Sequence, residues 1–167
     1  MSVALSDLHL PQIAACVAAE TESVEAILAR HHDGAGDGTN ALSLLQLRRV
    51  LVFVEQNLDD DLSLATLAAV AGLSPSHFAR RFKAALGEAP HRYVLARRVN
   101  GAKRLLLETE MPLAEIAAAA GFSSQAHLTG IFGRAVGVTP GVYRTQRNAC
   151  LAFLMAGGVK EHANKAA

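Results

Sequence analysis

The side chains best suited to covalent chemistry are few here and poorly placed for it. Cys16 and Cys150 lie near opposite ends of the 167 residues, without metal-ligand spacing, and read as two free thiols. His31 and His32 adjoin a glycine run, where an imidazole pair reads as solvent-exposed before it reads as a metal site. No nucleophile sits in a motif with a base and an orienting group, and there is neither an HExxH helix nor a glycine-rich phosphate loop. The pattern argues against an enzyme and calls for no metal and no cofactor. What is concentrated instead is charge. Residues 1–63 carry 3 Lys/Arg against 10 Asp/Glu, whereas residues 64–147 carry 11 against 4. The basic stretch suits a polyanionic partner, although on charge alone the same residues can simply solvate helix faces.

Those charges sit on a repeat. Ala71-Gly72-Leu73-Ser74 is followed by Phe78, Phe82, Gly87, Pro90 and Tyr93. Ala120-Gly121-Phe122-Ser123 is followed by Leu128, Phe132, Gly137, Pro140 and Tyr143, each 50 positions after its counterpart. Gly72 and Gly121 are 49 apart, so the second copy holds one extra residue in or just after its turn. Two copies are too few for a solenoid, so one motif is used twice. Alanine and leucine dominate, which favours helix. An apolar run of about 18 residues and a basic–apolar leader are both missing, so neither a membrane span nor an export signal is expected. The expected compartment is the cytoplasm.

The elements that position the repeat can be read in order. Over 11–29, Ile13, Cys16, Val17, Val24, Ile27 and Leu28 keep a helical period. The run from His31 to Gly38 breaks it and reads as a flexible linker. A helix over about 43–57 carries the stripe Leu47, Leu51, Val54 and Leu58. Ser63 caps a short helix that Gly72 ends in a left-handed conformation. Ser74 caps the next, with Pro75 at its first position, and Gly87 stops it. Pro90 opens a longer helix to about Glu108 with the stripe Leu95, Val99, Ala102 and Leu106, and Gly101 suggests close packing. After Met111-Pro112 the short helix, the Gly121 turn, a cap at Ser123 or Ser124 and a helix to Gly137 repeat the first copy. Thr139-Pro140 starts a last short helix through Tyr143 and Arg144. An apolar tail over 149–155 can pack on something, and the chain after Gly157 reads as disordered.

Short helix, glycine turn and capped second helix make a helix-turn-helix. Ala68 and Ala69, with Ala117 and Ala118, are small enough for a close crossing. Leu67, Leu73, Phe78 and Phe82 pack the first motif, and Ile116, Phe122, Leu128 and Phe132 the second. Tyr93 and Tyr143 read as core plugs. The exposed face of each second helix can enter a major groove.

At this level the sequence resembles the AraC/XylS-type DNA-binding domain. The first half of that pattern is Leu62-Ser63-Leu64-Ala65, Leu67-Ala68, Ala71 to Phe78, Arg80 and Phe82-Lys83. The second is Ile116-Ala117, Gly121 to Gln125, Leu128, Phe132, Gly137 to Pro140 and Tyr143-Arg144. The likeness covers about residues 46–147. It implies an all-α fold of two homeodomain-like helix-turn-helix units joined by a long linker helix, with an extra N-terminal helix. The corresponding divisions are 1–42 (acidic helix and glycine-rich linker), 43–147 (DNA-binding domain, with motifs at 64–86 and 113–136 and linker helix 90–108) and 148–167 (tail).

The resemblance also implies roles. Ser76, Ala79 and Arg80 would read bases from the first recognition helix, and Gln125, Ala126, Thr129 and Gly130 from the second. Arginine can pair bidentately with guanine and glutamine with adenine, each worth ~1–3 kcal/mol of discrimination. Ser74, His77, Arg81, Lys83, Arg98, Ser124, His127, Arg134 and Arg144, with Lys103, would contact phosphate or form solvated surface. Packing beside the turn is an equal alternative for His77 and His127. Such domains often carry arginine at position 130 and lysine or arginine at 133. Both are glycine here, so the first motif is expected to dominate specificity. The implied function is a sequence-specific regulator of transcription, an activator, that reads two successive groove segments of double-stranded DNA. RNA polymerase is a further candidate partner. The rival is a helical interaction module whose DNA binding is weak or lost. The acidic N-terminal helix can pair two chains through residues 11–29, or fold back on the basic region.

Overall fold

The computed structural model describes residues 23–33 and 41–155. Among them are eight helices and no strand: α1 (Val24–Asp33), α2 (Leu44–Gln56), α3 (Leu64–Ala71), α4 (Pro75–Leu86), α5 (Pro90–Glu108), α6 (Leu113–Ala119), α7 (Gln125–Val136) and α8 (Pro140–Met155). No described helix is long and apolar enough to cross a membrane. The all-helical expectation holds, with the two short-helix/long-helix pairs either side of α5.

Two hydrophobic cores organise these helices. The first joins Leu47, Val50, Leu51 and Val54 of α2 to Leu67, Ala68 and Ala71 of α3, and to Phe78 and Phe82 of α4. The second joins Ile116 and Ala117 of α6 to Leu128 and Phe132 of α7 and to Tyr143 of α8. The linker helix feeds both: Tyr93 and Val94 enter the first core, and Val99, Ala102 and Leu106 enter the second. At 19 residues α5 is ~28 Å long, enough to reach from one core to the other. The aromatic packing is repeated too. Tyr93 meets Phe82 edge-on at 5.6 Å, and Tyr143 meets Phe132 edge-on at 5.4 Å.

Several expectations need correction. α1 does not stop before the histidines; it continues through His31 and His32 to Asp33, because the first true breaker is Gly34. The stripe over 11–22, the glycines at 34–38 and the chain after 155 lie outside the described residues. The last helix is not short. It runs 16 residues to Met155, since no glycine or proline follows Gly141 within it. Only one alanine of each predicted pair lies at a helix crossing: Ala68 and Ala117 are buried, whereas Ala69 and Ala118 face out. A Cβ on Gly101 would meet Leu58 at an ordinary 3.8 Å, so no close approach demands glycine there.

Candidate nucleic-acid interface

The two turns are built alike. Gly72 and Gly121 have φ of 68° and 78°, the left-handed region that glycine enters without a Cβ penalty. Past each, the chain turns back with the same bond five residues long: Leu73 N donates to Ala68 O at 2.9 Å, and Phe122 N to Ala117 O at 2.8 Å. From there the copies diverge. Leu73 and Ser74 lead into α4, whereas Phe122, Ser123 and Ser124 lead into α7. Ser123 is therefore the extra residue, and Ser74 corresponds to Ser124.

The caps differ in chemistry. Ser124 Oγ accepts from His127 N at 3.1 Å, one of the free first-turn donors that caps satisfy. Ser74 holds the N-cap position and its extended backbone, but its hydroxyl makes no cap bond. Ser123 also has work: its Oγ lies 3.0 Å from His127 Nδ1, and the imidazole stands edge-on to Phe122 at 5.6 Å. His127 is thus held beside the turn by its neighbours while remaining exposed.

Helices α4 and α7 each bury one face and present another. On α4, Phe78 and Phe82 are fully buried while Ser76, His77, Arg80, Lys83 and Ala84 are exposed. On α7, Leu128 and Phe132 are buried while Gln125, Ala126, His127, Gly130 and Arg134 are exposed. The outward stripes coincide at 76/126, 77/127, 80/130 and 84/134. Ala79, Arg81 and Thr129 flank them, half-buried. Thr129 Oγ1 donates back to Gln125 O at 2.9 Å, and Arg134 Nε donates to Gly130 O at 3.2 Å. The structure therefore brings together Ser74, Ser76, His77, Ala79, Arg80, Arg81 and Lys83 on α4 and its N-cap, and Ser124 to His127, Thr129 and Arg134 on α7 and its N-cap.

Charge on the two stripes is unequal. Arg80 and Lys83 project from α4, where α7 has Gly130 and Gly133. A Cβ at either glycine would meet nothing within 4 Å, so neither is demanded by packing.

Two of the arginines expected at phosphate also hold backbone carbonyls. Arg98 Nε donates to Leu58 O at 2.9 Å and its Nη2 to Asp60 O at 2.8 Å. Arg144 Nη2 donates to Met111 O at 2.6 Å, across 33 residues. Both guanidiniums brace loops by holding backbone carbonyls. Sequence pattern cannot separate such arginines from solvated ones, because the carbonyls they serve carry no residue signature. Lys103, half-buried on α5, belongs to neither stripe. Gln46 serves a backbone carbonyl in the same way. It completes a capping box with Ser43, and its Nε2 donates to Ala71 O at 2.9 Å. The Ser43-x-x-Gln46 spacing was a usable signal for the box, though not for the long-range bond.

A family model described as a helix-turn-helix domain matches residues 67–146. The probable transcriptional regulator LumQ of Photobacterium leiognathi is 40% identical over 101 residues, 59% of this chain and 41% of LumQ. The right origin-binding protein of Escherichia coli K12 is 38% identical over 98 residues, 59% of this chain and 34% of that protein. The chain thus spans well under half the length of these curated relatives. Among solved structures, the DNA-binding domain of AdpA, a global transcriptional factor crystallised with a target DNA, aligns with TM-score 0.58 at 35% identity, covering 60% of this chain and 90% of that one. A regulator from Chromobacterium violaceum, of the AraC-type DNA-binding domain-containing proteins, aligns with TM-score 0.58 at 33% identity over 62% and 92% of the two chains.

Proposed function

Because this chain belongs to the family of AraC-type DNA-binding domains, we propose that it binds specific double-stranded DNA and regulates transcription, as an activator. Two successive major-groove segments are read, one by α4 and one by α7. The observation that carries this reading is the coincidence of the two outward stripes in a 50-residue register, each backed by a buried aromatic or aliphatic pair. Support also comes from the AdpA domain, whose structure was solved with a target DNA. The reading assigns base contacts to Ser76, Ala79, Arg80, Gln125, Ala126 and Thr129. Phosphate contacts fall to Ser74, His77, Arg81, Lys83, Ser124, His127 and Arg134. RNA polymerase as a partner, pairing of chains through residues 11–29 and a cytoplasmic location belong to the same proposal.

The charge asymmetry gives α4 the larger share of specificity and α7 more of the backbone anchoring. Selection of bound duplexes from a random library, followed by footprinting, tests the whole. A footprint of two groove segments per chain is expected, with site-specific affinity falling ~5–150-fold (1–3 kcal/mol) in Arg80→Ala. If Arg80→Ala left that affinity intact while Gln125→Ala abolished it, the assignment of the two heads would be wrong. The rival reading, an interaction module, draws on Gly130 and Gly133 and on the exposed Leu45 and Val52 of α2. It predicts no steep salt dependence of DNA binding, whereas phosphate neutralisation gives a slope of about −0.9 per phosphate in log affinity against log salt.

A further inference from the structure

Arg98 stands on α5 between Val94, which fills the first core, and Val99, which fills the second. Its two hydrogen bonds go to the carbonyls of Leu58 and Asp60, in the turn between α2 and α3. Those bonds tie the first unit's turn to the linker helix. A third segment meets them. A Cβ built on Gly121 would lie 1.9 Å from Leu58 O and 2.6 Å from Arg98 Nε. The turn of the second motif therefore rests its bare backbone on the same carbonyl and the same guanidinium. Gly72, the equivalent glycine of the first motif, would meet nothing within 4 Å. Backbone conformation accounts for glycine at both positions, but only Gly121 is also a point of contact between units.

The electrostatics agree with a bracing role. Burial pushes the Arg98 guanidinium below its ordinary value, and the carboxylates of Asp61 and Asp59 act against that shift. A partly desolvated charge is tolerated where carbonyls replace the lost water. Keeping those carbonyls in place keeps the turn, the linker and Gly121 in place together.

We infer that Arg98, with Leu58 O and Gly121, is a positioning residue that fixes the relative orientation of α4 and α7 and so sets the spacing of the two groove segments. The inference rests on the two-segment reading above, since spacing matters only if both helices engage DNA. Inserting one base pair moves the second segment by about 3.4 Å and turns it by about 34–36° about the duplex axis. A braced junction cannot follow that displacement, whereas two units joined by α5 alone can bend towards it.

The experiment uses the full chain and the duplex that it selects, with one base pair added or removed between the segments. The parent protein should lose at least about tenfold in affinity on either change, the scale of a lost base contact. Arg98→Ala should bind all three duplexes within about threefold of one another, with Arg98→Lys between the two. A second measurement needs no DNA. Spin labels at the exposed positions Ala84→Cys and Ala135→Cys, in a Cys16→Ser/Cys150→Ser background, should give one narrow distance distribution that broadens in Arg98→Ala. A folded Arg98→Ala protein with an unchanged distribution and the full spacing penalty overturns the inference. A parent protein indifferent to spacing overturns the two-segment reading, and the spacing role of Arg98 with it, even if the label distances respond. Should Arg98→Ala fail to fold, Arg98→Lys carries both measurements: a spacing penalty smaller than the parent's and a broader distance distribution are expected, and the full penalty with an unchanged distribution overturns the inference.

Discussion

Gln46 Nε2 donates to Ala71 O at 2.9 Å, joining the first turn of α2 to the last residue of α3. The same side chain accepts from Ser43 N through Oε1 at 3.2 Å, while Ser43 Oγ accepts from Gln46 N at 3.2 Å. One residue thus closes a helix start and anchors the helix end that leads into the Gly72 turn. Replacing Gln46 with alanine should cost about 1–2 kcal/mol, a cap contribution plus one part-buried hydrogen bond. Ser43→Ala removes only the cap and should cost about 1 kcal/mol. Urea unfolding of the two variants measures both losses; a Gln46→Ala loss near zero would show that neither of its side-chain bonds contributes.

The two turn glycines should answer differently to alanine. Gly72→Ala meets open space and bears only the left-handed strain, roughly 1–2 kcal/mol. Gly121→Ala bears the same strain and also drives its methyl into Leu58 O and Arg98. Its midpoint in urea should therefore fall well below that of Gly72→Ala. Similar midpoints would mean that the junction yields without cost.

Glycines 130 and 133 lie in the interior of α7 with open space beside them. Alanine at either site should stabilise the chain by up to about 1 kcal/mol, since glycine is a poor helix former. Thermal unfolding reads this directly. Gly130→Arg should in addition steepen the salt dependence of DNA binding by about one phosphate's worth. An unchanged slope would place position 130 away from the duplex.

Each core should depend on its own aromatic residue. Phe82→Ala and Phe132→Ala both empty fully buried sites and should each cost about 3–5 kcal/mol. Hydrogen exchange should show Phe132→Ala loosening α6 to α8 more than α3 and α4. Equal loosening of all five helices would mean that the cores open only together.

How far the fold could be read from the sequence follows from where its information lies. Gly72, Gly87, Gly121 and Gly137 all take positive φ, so the punctuation of the repeat is local and legible. The buried stripes are legible for the same reason: Phe78/Phe82 and Leu128/Phe132 recur at helical spacing. The outward residues of α4 and α7 then follow by subtraction. Arg98 and Arg144 did not follow, because each serves carbonyls 33–40 residues away in sequence and looks like any other surface cation until the chain is folded. Ser123 was legible only as a count, one residue too many; its pairing with His127 needed the turn in three dimensions. The length of α8 is not legible, because a cap-then-proline start says where a helix begins and nothing about where it ends.

The division of α5 between two cores bears on the order in which the chain can fold as it is made. Every residue of the first core lies at or before Val94. That core can close while the rest is still being synthesised. The second core needs Val99, Ala102 and Leu106 but is not complete until Tyr143. At about 5–20 residues per second, the roughly 50 residues between Val94 and Tyr143 take several seconds to appear. Until Ile116 and Ala117, then Leu128 and Phe132, are made, the C-terminal half of α5 has an apolar stripe and no partner. The first head is finished early, and the second is assembled on a helix that the first already holds.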